Sequence, residues 1–93
     1  VVSVNYGSSQ VVAAGASSTQ STAFAGGTSI IRVSCDVACW ISVGTNPTAA
    51  DAGANSIFLP ANAIEFLGVS GGGKIAVIRD TTTSGSLSVA EVI

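Results

Sequence analysis

From position 28 to 44 the chain reads TSIIRVSCDVACWISVG, and Ile31, Val33, Cys35, Cys39, Ile41 and Val43 recur at every second position on either side of a short break. Alternation with period two places one set of side chains on one face of a pleated strand, and no helix can use it. The same grammar recurs along the chain. VVSVNY (1–6) and QVVAAGA (10–16) flank Gly7-Ser8-Ser9, and STAFA (21–25) ends at Gly26-Gly27. TSIIRVSC (28–35) and CWISVG (39–44) form the clearest hairpin, and NSIFLP (55–60) and AIEFLGV (63–69) are separated by Pro60-Ala61-Asn62. GKIAVIRD (73–80) follows a glycine run, and GSLSVAEVI (85–93) closes the chain after TTTSG. Eight to nine short strands with turn residues at this spacing predict an all-β, antiparallel β-sandwich or jelly-roll-like barrel. Residues 1–93 are read as a single domain, with 1–27 as a segment able to extend and pair with a partner. Val, Ile and Thr supply much of the composition, and β-branched residues fit a pleated surface better than a helix.

One segment lacks alternation. GTNPTAADAGANS (44–56) is read as a surface loop, in which Asn46-Pro47 can start a single helical turn and Gly53 can end it.

The two cysteines test whether the chain carries chemistry. With Asp36-Val37-Ala38 as a three-residue hairpin loop, Cys35 faces Cys39, Val33 faces Ile41 and Ile31 faces Val43, all on one face. Arg32, Ser34, Trp40 and Ser42 then share the opposite face. Zinc needs about four ligands, and this chain has no histidine and no second cysteine pair. A redox pair favours two intervening residues at a helix N-terminus rather than three on a hairpin. The expectation is two reduced thiols extending an apolar row, with a cross-strand disulfide as the alternative.

No catalytic residues, metal ligands or cofactor-binding residues are expected. The acids Asp36, Asp51, Asp80, Glu65 and Glu91 are scattered, and the serines lack a histidine base. Asp36 and Asp80 fall in turn positions, and Glu65 is read as facing solvent or a partner. GVSGGGK (68–74) is followed by Ile75 within a strand, so it is a flexible turn and not a phosphate loop. A net charge of −2 offers no basic patch for nucleic acid. There is no apolar run long enough for a membrane helix. The opening VVSVNYGSSQ has neither the basic nor the apolar region of a signal peptide. With no methionine in the chain, Val1 is expected to follow a removed initiator or to mark a fragment or processed product.

Charge is the remaining constraint. Only 9% of residues are charged and 47% are hydrophobic, where an average soluble domain carries about 25% charge. Sheet edges are usually blunted by Lys, Pro or bulges; this chain has one lysine, Lys74, and two prolines near turns. The economical expectation is that edges and apolar patches are covered by copies of the chain or by a larger assembly. Trp40 either caps a second core layer or anchors an interface. Arg32 is a candidate to pair with Glu65, to stack on Trp40, or to stay solvated. Trp40, Arg32, Glu65, Asn46 and Pro47 are the candidate interface residues.

The order "VGTNPTA", "IFLPANAIEFLGV", "GGKIAVIRD", "SGSLSVAEV" resembles small structural proteins encoded near the head genes of tailed bacteriophages. The residues that carry the resemblance are Gly44 with Asn46 to Ala49, Leu59-Pro60, Glu65 to Val69, Lys74 to Ile78 and Gly85 to Glu91, roughly the last two thirds of the chain. The resemblance implies a non-enzymatic cement or decoration protein that clamps neighbouring major capsid subunits on the virion surface. It also implies synthesis in a bacterial cytoplasm, where thiols stay reduced, and a homo-oligomer, with a trimer favoured over a dimer. A tail, collar or fibre module of the same virion is the alternative. A carbohydrate-binding β-sandwich is a further rival that 5% aromatics support poorly.

Overall fold

A computed structural model describes residues 4–51, 53 and 55–92. The strands are β1 (Val4–Ala14), β2 (Thr19–Gln20), β3 (Ile30–Cys35), β4 (Cys39–Gly44), β5 (Ile57–Leu59), β6 (Ile64–Gly68), β7 (Lys74–Arg79) and β8 (Gly85–Val92). Residues 1–3 of the expected first strand and Ile93 of the expected last one lie outside the described residues.

Two four-stranded sheets form, in the orders β1-β8-β3-β6 and β2-β7-β4-β5. The pairing is nested and antiparallel: β1 with β8, β2 with β7, β3 with β6, β4 with β5. That is the pattern of one long hairpin. Pairing of β3 with β8 and of β4 with β7 rolls the hairpin into two layers, which is the jelly-roll form of a β-sandwich. The inner faces supply a dry core in which Ile31, Val33, Cys35, Cys39, Ile41, Leu59, Ile75, Val77, Leu87 and Val89 are fully buried. Each such aliphatic side chain contributes about 1.5–3 kcal/mol by leaving water.

The expected hairpin of residues 28–35 and 39–44 is not one. β3 and β4 lie in different sheets, so the segment Asp36-Val37-Ala38 is an arch from one layer to the other. Alternation cannot distinguish the two arrangements, because both bring the same side chains together. What decides is pairing from afar. On one side the Asp36 carboxylate accepts the Ser86 N–H at 2.8 Å, and on the other the Asp80 N–H donates to the Ala38 carbonyl at 3.0 Å. Cys35 and Cys39 therefore meet across the interior, both as free thiols. Arg32 and Trp40 lie on opposite outer faces, so neither the shared face nor the Arg32–Trp40 stack exists. Val43 is 38% exposed where the sheets part, outside the core it was expected to join.

Three other expectations shift. The two opening strands are one strand, β1, whose register with β8 breaks between Asn5 and Gln10 around Gly7-Ser8-Ser9. Residues 21–25 are not a strand; β2 precedes them, and they continue beside β7 through the Ser21 N–H on Ile75 and the Phe24 N–H on Gly73. No helical turn forms at Asn46-Pro47.

Residues 46–49 lie over the outer face of the β7 sheet. Gln20 donates to Asn46 Oδ1 at 2.9 Å and to the Pro47 carbonyl at 2.7 Å, and the Ala49 N–H donates to Ser18 Oγ at 2.9 Å. Pro47 and Ala49 are buried, as are Ala76 and Ser42 in the same cross-strand row as Gln20. This cover explains why Ile75, Ala76 and Val77 are buried consecutively: a strand covered on both faces needs no polar alternate.

Candidate assembly surface

Among the described residues, no group of three or more His, Cys, Asp or Glu is placed to hold a metal. Three of the five acids make hydrogen bonds that hold the fold: Asp36 holds the arch, Asp80 accepts the Trp40 indole N–H at 2.8 Å, and buried Glu91 accepts the Ala25 N–H at 3.3 Å and the Thr28 hydroxyl. Among the described residues no buried side-chain polar atom lacks a partner. Burial, and next the neighbouring Cys35 thiol, push the Cys39 thiol up from 9.0 to about 12. Such a thiol stays protonated and unreactive at neutral pH. No helix among the described residues is long and apolar enough to cross a membrane.

What the surface does offer is apolar side chains. Ile57 and Phe58 on β5 and Ile64 and Phe66 on β6 are 45–55% exposed, and both strands are sheet edges on the same side of the sandwich. On the outer face of the β5 sheet, the Trp40 and Phe58 rings meet at 5.3 Å between centroids with a 58° tilt. This is within the range of favourable aromatic pairs. On the outer face of the other sheet, Phe66 lies opposite Arg32, and Ile64 lies opposite Ser34. Where the layers diverge at this edge, a cleft of about 230 Å³ opens between Ile41, Ile57 and Leu67. Beyond it, Val43 and the glycine turn 71–73 line a second hollow of about 480 Å³.

Of the five candidate interface residues, the structure brings Trp40 to the apolar edge through Phe58, and Arg32 through Phe66. Glu65 is exposed on that edge but lies in register with Val33, on the inner-facing side of β6, so it is not opposite Arg32. Asn46 and Pro47 are engaged within the chain: the first accepts from Gln20, and the second is buried. Sequence reasoning missed Ile57, Phe58, Ile64 and Phe66. Glu65 is exposed, as expected, although its register with Val33 puts it on the inner-facing side of β6, while Ile64 and Phe66 lie on the outer face. The usable signal was the charge deficit, which leaves too few polar residues for every strand to have a polar face.

No family model matches the chain. No curated protein matches it significantly, and no solved structure does.

Proposed function

We propose that this chain is a non-enzymatic structural protein that works by surface contact, as a cement or decoration protein on the outside of a bacteriophage capsid, clamping neighbouring major capsid subunits. The observation that carries the assembly part is that both edge strands on one side of the sandwich carry exposed apolar side chains, Ile57 and Phe58 on β5 and Ile64 and Phe66 on β6, although the core is already filled without them. The capsid part rests on the resemblance of residues 44–49, 59–60, 65–69, 74–78 and 85–91 to small phage structural proteins. The jelly roll is compatible with it, since capsid and lectin domains both use that form, but a fold alone does not assign a function.

In this reading the partners are the major capsid protein and further copies of the chain, with no nucleic acid, no membrane and no cofactor. The protein is made in the bacterial cytoplasm, where its thiols remain reduced, and ends on the virion surface. Quantitative mass spectrometry of purified particles tests it. Copies in fixed proportion to the major capsid protein are expected. A few copies per particle transfer the chain to the tail, collar or fibre, and absence from the particle refutes the reading. The lectin alternative has a weaker basis, because the exposed aromatics lie on flat edges and not around a polar groove; binding on a glycan array would revive it.

A further inference from the structure

Four strands end the two sheets: β1, β6, β2 and β5. Unpaired edges invite further strands, and proteins blunt them by shortness, proline or bulges. β1 carries the irregularity between Asn5 and Gln10, β2 has two residues, and β5 has three and runs into Pro60. β6 is different. Its one blunting feature is the inner-facing charge of Glu65; it has five residues, no lysine or proline, and an unbroken register with β3 from Ser34↔Ile64 to Ile30↔Gly68.

The orientation of its free backbone follows from one bond. The Val69 N–H donates to the Ser29 carbonyl at 2.8 Å. Antiparallel ladders alternate between paired and outward-facing residues. So Leu67 and Glu65 bond to β3, while the N–H and C=O groups of Ile64, Phe66 and Gly68 face away from it.

We infer that β6 pairs with β6 of a second copy, antiparallel, about a twofold axis at Phe66. The inference rests on the assembly reading above and names the partner at that edge. The sequence of β6 is self-complementary in this register. Phe66 lies opposite Phe66 of the second copy, and each Ile64 lies opposite a Gly68, whose missing side chain gives the isoleucine room. Every outward N–H and C=O of the three residues meets its complement. The result is one continuous sheet, β1-β8-β3-β6-β6-β3-β8-β1. A closed twofold contact also ends the edge, so that it does not propagate into a filament.

The size of the contact is modest. Covering a Phe ring removes roughly 150–250 Å², and Phe66 is 50% exposed. With Ile64, the rim of the cleft at Ile57 and the strand backbone, each copy contributes on the order of 400–500 Å². The total, about 800–1,000 Å², falls below the roughly 1,200 Å² at which stable specific interfaces begin, so the dimer is weak and reversible. Glu65 opposes it. Its inner-facing carboxylate lies opposite Leu67 of the second copy, and the two carboxylates stand on neighbouring diagonal positions. Twofold pairing here differs from the trimer that the resemblance implies.

Sedimentation velocity on the full chain over a range of concentrations tests the pair. The wild type is expected to pass from monomer to dimer as concentration rises. Phe66→Asp is expected to hold the mass at the 9.1 kDa of one chain, and Glu65→Gln to shift the transition several-fold toward lower concentration. Tyr6→Asp, at an 86% exposed site off this edge, is expected to leave it unchanged. Should Phe66→Asp fail to fold, Phe66→Cys gives an independent measurement. Directly opposed Cα atoms in a bonded pair are about 5.5 Å apart, within disulfide range, so oxidation is expected to give a covalent dimer in a chain whose native thiols are buried. A monomer throughout the range, or an oligomer that Phe66→Asp does not dissociate and Phe66→Cys does not cross-link, overturns the β6 pair. Those results leave the virion reading to its own particle measurement, so the two can fail separately.

Discussion

The arch from β3 to β4 places two thiols inside the sandwich, and the energetic consequence is measurable with base. In the folded chain the Cys39 thiol is pushed up from 9.0 to about 12, first by burial and then by the Cys35 thiol and the Asp80 carboxylate. Above pH 9 the unfolded chain releases this proton, while the folded chain keeps it until about pH 12. The unfolded state then binds fewer protons, so stability falls as pH rises through that window and is intact below it. Each pH unit removes about 1.4 kcal/mol, which reaches about 4 kcal/mol at the upper end. That is a large share of the 5–15 kcal/mol that holds a typical domain together.

Urea midpoints at half-unit steps from pH 8 to 11 measure the effect in the wild type and in Cys39→Ala. The variant starts weaker, because it leaves a small cavity, but it lacks the thiol and is expected to lose less stability per unit of pH. The two curves therefore converge in base. The same burial predicts slow alkylation. At pH 9 a thiol with pKa 9.0 is half ionised, and one near 12 is ionised in about one molecule in a thousand, so the native rate is lower by roughly 500-fold from ionisation alone. Parallel stability curves, or native alkylation within tenfold of the urea-unfolded rate, would refute the placement of Cys39 in the dry interior.

Other substitutions examine what pins the layers. Glu91→Ala removes the acceptor for the Ala25 N–H and the Thr28 hydroxyl and is expected to destabilise by about 1–3 kcal/mol in urea unfolding. A Cβ at Gly71 would overlap the Gly26 backbone, whereas at Gly15 it meets nothing within 4 Å; Gly71→Ala is expected to lose about 1–3 kcal/mol while Gly15→Ala stays within about 0.5 kcal/mol of the wild type. Asp80→Ala frees the Trp40 indole N–H and is expected to cost about 1 kcal/mol, with a shift in the fluorescence of the single tryptophan.

The strands were legible because alternation is local. Val33 and Cys35, Cys39 and Ile41, and Leu87 and Val89 each announce an inner face without reference to the rest of the chain. The partners of those strands were not legible. Whether residues 36–38 make a hairpin or an arch depends on Ser86 and Asp80, neither of which can be identified from the loop itself. The same limit explains Ala76, buried although it is out of phase with Ile75 and Val77, because its cover comes from the segment after Gly44. For the candidate surface, the presence of exposed apolar side chains was readable from the charge deficit. Its location was not, because an edge strand such as β6 can turn Ile64 and Phe66 outward with no change in local pattern.

The outer face of the first sheet bears on the proposed assembly through the residues on its edge strands. One cross-strand row runs Val11, Ser88, Ser34, Ile64, and the next runs through Ala90, Arg32 and Phe66. On the middle strands Ser88, Ser34 and Arg32 are polar while Ala90 and Ile30 are apolar, and the edge strands expose Val11 at 71%, Ile64 at 54% and Phe66 at 50%. A sheet built to face water alone would place its charge at the edges, where strand addition must be prevented. Nor does the interior need these side chains, since the core closes with Ile31, Val33, Leu87 and Val89. In the proposed assembly this edge makes its contact side-on, strand against strand, because the free backbone of Ile64, Phe66 and Gly68 points away from β3 along the sheet.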